Sequence, residues 1–270
     1  MGGDFILIGA SEVGAMGVLD LFRLNGKVAV VTGASRGLGK EMAVALAEAG
    51  ADLVIIGRGR GSLEVLAKEV QTHGHSCHPV EGDVSVRGEA QRIVDEAFGW
   101  KSQLDILINN AGTIARGPAL EMKEEDWDRV INLNLNGAFF MAQAAGRVMA
   151  KQRKGKIINI GSMNTAISAK NIIPYTVSKG GLGQMTKAFA VEWGQYNIQV
   201  NCILPGYFET ELTTAPRKDP ERFAYFQSRI PCGRWGMPSD LKGTVIFLAS
   251  AASDYVTGVN LPVDGGYLAG

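Results

Sequence analysis

The stretch "KVAVVTGASRGLGKEMAVALAEAG", Lys27 to Gly50, joins an apolar β-branched run to a glycine-rich turn and then to a helical pattern. Val28 to Thr32 suit a strand buried on both faces. Leu38 to Gly50 read as a helix, with Gly50 as the C′ residue that ends it. Between them Gly33, Gly37 and Gly39 allow a tight turn and let an anion approach the helix N-terminus. The spacing is Gly-x-x-x-Gly-x-Gly, which differs from the Gly-x-Gly-x-x-Gly dinucleotide fingerprint. "GASRG" also fits a Gly-x-Ser-x-Gly nucleophile elbow, with Ser35 as nucleophile. That chemistry needs a histidine after the serine and the acid, and the three histidines, His73, His75 and His78, all lie early in the chain. The hydrolase reading fails for want of a base.

Outward from this stretch the same alternation repeats. Strand patterns fall at "DLVIIG", "CHPVEGDV", "LDILINNAG", "GKIINIGS", "IQVNCILPG" and "NLPVDGG". Helical patterns fall at residues 62–74 (Ser62 as N-cap), 86–98, 124–149, 175–195 and 239–249. Apolar strands alternating with helices predict an α/β fold: a single Rossmann-type, doubly wound parallel sheet of about seven strands, with helices on both faces. Residues 24–270 are expected to form one dinucleotide-binding catalytic domain behind an N-terminal extension, residues 1–23. The long irregular stretch at 206–236 is expected to act as a lid over the substrate.

Composition narrows the function. Lys plus Arg and Asp plus Glu number 27 each, so no net field draws the chain to nucleic acid or to an anionic membrane. A hydrophobic fraction of 46% fits a globular protein. Cys77, Cys202 and Cys232 are an odd, scattered set that suits a reducing compartment. The first 22 residues hold no Lys or Arg and so lack a signal-peptide n-region. The reading is a soluble, cytoplasmic protein whose partner is a small molecule. "HGHSCH" puts His75 and Cys77 on one strand face but His78 on the other, with no second ligand cluster, so no metal is expected.

The second strand ends "IIGRGR", where an NAD-binding half would place an acid for the ribose 2′-hydroxyl. Arg58 stands there instead, with Arg36 in the glycine turn. Guanidinium groups suit a 2′-phosphate, which favours NADP(H) and leaves NAD(H) open. Further on, Tyr175 and Lys179 stand one helical turn apart. An adjacent ammonium is expected to favour the phenolate and bring Tyr175 toward useful general acid/base strength. Ser162 ends the strand "IINIGS", 13 residues earlier.

Taken in order, "TGASRGLG", Asp83-Val84, "NNAG", Ser162, "YTVSK", "PGYFET" and "VDGG" resemble the short-chain dehydrogenase/reductase family from about Leu24 to Gly266. The resemblance implies that Tyr175 is the general acid/base and that Lys179 lowers its pKa and holds the nicotinamide ribose. It implies that Ser162 orients the substrate oxygen and that Asn134 keeps a relay water in place. The cofactor groove would be lined by Gly33, Ser35, Arg36, Gly37, Leu38, Gly39 and Arg58. Asp83, Val84, Asn110, Ala111, Gly112, Pro205, Gly206 and Thr210 would complete it, with Tyr175 and Lys179. "PGYFETEL", "GRWGMPSDLKG" and "FLASAASDYVTG" are similar to the sugar-acid branch, the gluconate 5-dehydrogenases and 2-dehydro-3-deoxygluconate 5-dehydrogenases. For such a substrate Ser162, Arg116 and Tyr207 are the expected contacts, with Arg217, Lys218 and Arg234 as further carboxylate readers. Ala115 departs from the two adjacent basic residues usual beside Arg116 in that branch. The resemblance further implies a homotetramer. Two other functions share these motifs, a 3-oxoacyl-thioester reductase and a non-catalytic NADP-binding regulator; the latter would not need Ser162.

Overall fold

The computed structural model describes residues 17–270, so the extension expected at 1–23 lies largely outside the described residues. Seven strands form one wholly parallel sheet: β1 Val28–Thr32, β2 Asp52–Gly57, β3 Cys77–Glu81, β4 Ile106–Asn109, β5 Gly155–Ile160, β6 Ile198–Pro205 and β7 Asn260–Val263. Their order is β3-β2-β1-β4-β5-β6-β7. The order reverses between β1 and β4, and a parallel sheet binds ligands where its strands diverge at such a switch point.

Period-2 alternation along each strand divides the core into two layers. Ala29, Val31, Leu53, Ile55, Ile106, Ile108, Ile158 and Ile203 face one layer. It is closed by helices α1 Gly37–Glu48 and α2 Arg60–Gln71, together with the late helix Lys242–Ala249. Val28, Val30, Val54, Ile56, Leu107, Ile157 and Val200 face the other. There α3 Glu89–Lys101, α5 Gly137–Gln152 and α6 Ile173–Trp193 make the cover, and α4 Glu124–Ile131 packs against α6.

Several boundaries differ from the sequence reading. The helix expected at 62–74 begins at Arg60, with Gly59 at its N-cap position, and the Ser62 hydroxyl donates back to the Gly59 carbonyl at 2.8 Å. The helix expected at 86–98 runs Glu89–Lys101, because Gly88 takes a left-handed φ of 87° and turns the chain just before it. The helix expected at 124–149 is interrupted by a π-turn over Asn132–Asn136. Such a turn inserts one extra residue and re-aims the side chains around it. Segment 206–236 is not irregular: it holds α7 Thr214–Lys218 and α8 Pro220–Ser228. Asp219 caps α8 by accepting from the Arg222 amide at 3.1 Å, and Pro220 starts it. The final helix is α9 Lys242–Ala249.

Candidate active site

The first strand-to-helix turn is clamped to the end of β4. Gly33 has a φ of +62°, and a Cβ there would lie 2.9 Å from the Ala111 Cα, so only glycine fits. The Thr32 hydroxyl accepts the Asn110 and Ala111 amides at 3.0 and 3.1 Å, while Asn110 Nδ2 donates to the Thr32 and Gly33 carbonyls, both at 3.0 Å. The two sides of the switch point are thereby locked together. The first turn of α1 has no side-chain cap, which leaves its amide groups for an anion.

Beneath the neighbouring strands a buried polar chain fixes α6. Asn109 Nδ2 donates to Asn159 Oδ1 at 3.0 Å, and Asn159 Nδ2 donates to the Thr186 hydroxyl at 2.9 Å. This sets the height of Tyr175 and Lys179 above β5. Lys179 is buried, and its Nζ donates to the Ile160 carbonyl at 2.6 Å and lies 5.7 Å from the Tyr175 ring centre.

One cavity of about 1530 Å³ runs along this edge. The expected catalytic, cofactor and substrate residues line it except Asn134, and the further carboxylate readers Arg217, Lys218 and Arg234 do not. Asn134 is buried behind the wall with its carboxamide fully used. Its Oδ1 accepts the Thr113 amide at 2.8 Å, and its Nδ2 donates to the Thr113 carbonyl at 2.9 Å and to the Ser178 hydroxyl at 3.1 Å. The Ser178 hydroxyl donates to the Tyr175 carbonyl at 2.7 Å. Asn134 therefore braces the helix that carries the tyrosine, and its side chain does not reach the cavity.

At the dinucleotide end Arg36 pairs with Glu211 at 2.8 Å, and Arg58 faces Asp83 at 3.8 Å. Asp83 Oδ1 also accepts from the Ser85 amide and hydroxyl. At the other end Ser162 accepts from both nitrogens of Asn164, at 3.2 and 3.3 Å, which aims its hydroxyl. Burial pushes the Tyr175 phenol up, and the Ser162 hydroxyl and the Arg116 charge pull it part of the way back. The expectation that Lys179 supplies the pull is corrected: its ammonium is itself pushed down to about 8 by burial.

Arg217 and Arg234 are corrected as carboxylate readers. Arg217 is held by Glu209 at 2.9 Å, Arg234 by Asp240 at 2.6 Å, and neither these two nor Lys218 lines the cavity. The sequence reading missed Asn164, Lys170 and a face of α8 and its C-terminal turn: Arg222, Tyr225, Phe226 and Arg229. Their i, i+3, i+4, i+7 spacing was a legible helical stripe. Cys77, one of the residues weighed for a metal, is buried in β3, and His78 stacks on Trp100. No cluster of His, Cys, Asp or Glu among the described residues could hold a metal ion. No described helix is long and apolar enough to cross a membrane.

The family profile described as enoyl-(acyl carrier protein) reductase matches residues 33–268. A 2-dehydro-3-deoxy-D-gluconate 5-dehydrogenase of Escherichia coli (strain K12) is 45% identical over 253 residues, 93% of this chain and 99% of the relative. A gluconate 5-dehydrogenase of Gluconobacter oxydans (strain 621H) is 39% identical over 250 residues, 92% of this chain and 96% of the relative. Among solved structures, a gluconate 5-dehydrogenase from Burkholderia cenocepacia J2315 in complex with NADP and tartrate is 40% identical. It superposes with a TM-score of 0.91 over 94% of this chain and 100% of that one.

Proposed function

The chain belongs to the short-chain dehydrogenase/reductase family, and we propose that it interconverts a secondary alcohol and a ketone on a sugar acid of the gluconate type with NADP(H). The observation that carries this reading is the grouping of Ser162, Tyr175 and Arg116 on one cavity, with the Arg116 charge acting on the Tyr175 phenol. A carboxylate drawn to Arg116 would bring the alcohol chain of its own molecule to the tyrosine. The relatives named for gluconate and for 2-dehydro-3-deoxy-D-gluconate, and the one crystallised with NADP and tartrate, support it.

The uncapped N-terminus of α1 suits a pyrophosphate, and Arg36 and Arg58 suit a 2′-phosphate. NADP(H) held by these residues would supply the hydride chemistry at its nicotinamide. Tyr175 protonates the carbonyl oxygen in reduction and takes the hydroxyl proton in oxidation. Ser162, aimed by Asn164, donates to that oxygen as charge gathers on it. Lys179 keeps a positive charge at the foot of the tyrosine and holds the cofactor ribose. Asn134, through Ser178, fixes the backbone from which Tyr175 projects.

Exposed Phe140 on α5 and Val191 on α6 leave apolar surface suited to subunit contacts in a homotetramer. The balanced charge and unpaired cysteines suit the cytoplasm. A 3-oxoacyl thioester would want an apolar channel, whereas Arg116, Lys170, Arg222 and Arg229 set cations among the apolar side chains of the substrate end.

The test is reduction of NADP⁺ and NAD⁺ followed by absorbance, against gluconate, other aldonates, neutral polyols and a 3-hydroxyacyl thioester. Fast NADP⁺ reduction by an aldonate is the expected result. Activity with the thioester alone would transfer the protein to acyl chemistry, and cofactor binding without turnover on a wider carbonyl screen would favour the regulator.

A further inference from the structure

The charges along the cavity are unevenly matched. Its two lining acids, Asp83 and Glu211, both sit at the dinucleotide end, and each faces an arginine there. The substrate end is lined by Arg116, Lys170, Arg222 and Arg229, and among the described residues no carboxylate pairs within 4.0 Å with the charged head of any of these four; Asp219 reaches only the Arg222 backbone amide. They stand in two pairs, on separate lips. Arg116 and Lys170 belong to loops tied together by the Gly117 amide, which donates to the Asn171 carbonyl at 2.9 Å. Arg222 and Arg229 come from α8 and the turn that ends it, seven residues and two turns apart.

The lid side is fixed by an aromatic cluster. Phe226 of α8 stacks on Tyr207 with ring centres 4.4 Å apart, and Tyr207 meets Tyr267 at 5.5 Å. The Arg229 guanidinium lies 4.6 Å from the Tyr267 ring centre, so its charged head is held over that ring while the residue stays exposed at the cavity. Cations on both lips of a cleft repel each other and raise the local concentration of anions. A monocarboxylate can satisfy one lip. Satisfying both takes a ligand charged at its two ends.

We propose that the substrate carries two anionic groups, a carboxylate met by Arg116 and Lys170 and a second carboxylate or a phosphate met by Arg222 and Arg229. The inference rests on the sugar-acid reading and extends it. A six-carbon chain has an oxidisable secondary alcohol between two such ends, so the reaction itself is unchanged. Closing α8 over a dianion would neutralise both lips at once, and charge at the far end of the substrate would add to binding without touching the reacting carbon.

The test is steady-state reduction of NADP⁺ at fixed ionic strength with four compounds of equal carbon length: sorbitol, gluconate, glucarate and 6-phosphogluconate. It is run with the wild type and with Arg222→Gln, Arg229→Gln and the double variant, each checked for an unchanged melting temperature. The expected result is a kcat/KM for at least one dianion about tenfold above gluconate, with a ratio near one in the double variant. The dianion advantage should also fall more steeply with added salt than gluconate activity does. Glucarate in the lead assigns a carboxylate to the lid site, and 6-phosphogluconate in the lead assigns a phosphate. Gluconate equal to or better than both dianions overturns the proposal and leaves the sugar-acid reading standing, as does an advantage that survives in the double variant. Oxidation of sorbitol but of no acid overturns both.

Discussion

At the dinucleotide end of the cavity the wall is largely backbone and its charges are matched. At the substrate end the wall is side chains, and the cations stand without carboxylates. Thr32, Gly33 and Asn110 lock the first by hydrogen bonds that tie the Thr32 hydroxyl and the Asn110 carboxamide to the backbone of the facing turn. Ser162, Tyr175 and Arg116 shape the second, under a helix held by stacked aromatic rings. A dinucleotide presents the same phosphates to every relative, so a rigid backbone cradle serves. A substrate changes from one relative to the next, and side chains on a separate lid can change with it.

The sharpest way to break this division of labour is Tyr175→Phe. It removes one oxygen from the substrate end and leaves the dinucleotide end alone. Turnover should fall by about 10²–10⁴, the usual worth of a positioned acid/base, while the Kd for NADPH measured by fluorescence titration stays within about twofold of wild type. Turnover close to wild type would remove Tyr175 from the chemistry.

Lys179 lies where the two ends meet, and its burial makes a pH prediction. In the folded protein burial pushes its pKa down to about 8, below the 10.5 of an ordinary lysine. Between these values the unfolded chain holds the proton more often than the folded one, so this residue's contribution to stability rises with pH across that window. Cys202 and Cys77 act with the opposite sign. Burial lifts them to about 11 and about 12, so the stability they contribute is full below about pH 9 and is lost as pH rises through those values. A comparison with Lys179→Met isolates the lysine. Denaturant melts of the cofactor-free proteins should show the stability of wild type gaining on the variant by up to about 3 kcal/mol from pH 8 to 10.5. A constant difference across that range would mean that Lys179 titrates normally.

Gly33→Ala tests the dinucleotide end for rigidity. The added methyl meets the Ala111 backbone, and φ +62° is strained for alanine. A cost of about 1–3 kcal/mol in stability is expected, together with weaker binding of both cofactors. Unchanged melting and cofactor affinity would show that the turn relaxes.

What the sequence made legible follows the same division. The parallel sheet, the glycine turn and the family motifs are short-range patterns, and the residues they named, Asn134 apart, fall on one cavity. Its end near α8 was legible only in part. That segment read as irregular, although Pro220 starts a helix there. Arg217 and Arg234 looked as available as Arg222 and Arg229, because only the fold decides which arginine finds Glu209 or Asp240. The phenol's shift depends on depth and on the approach of Arg116 from a distant loop, neither of which a Tyr-Lys spacing contains.

The smallest expected effect reads the cofactor choice. Arg58 is exposed and faces Asp83 at 3.8 Å, too long and too wet a pair to contribute much stability. In Arg58→Ala the melting temperature should therefore hardly move. The binding site changes more, because the substitution removes a cation suited to a 2′-phosphate and leaves Asp83 facing that position. A carboxylate repels a phosphate, whereas it accepts from a ribose hydroxyl. Affinity for NADPH should fall about tenfold, while affinity for NADH holds or improves. Equal losses for both cofactors would mean that Arg58 acts on the adenine half as a whole and that the 2′-position is read elsewhere, with Arg36 the remaining cation on that wall.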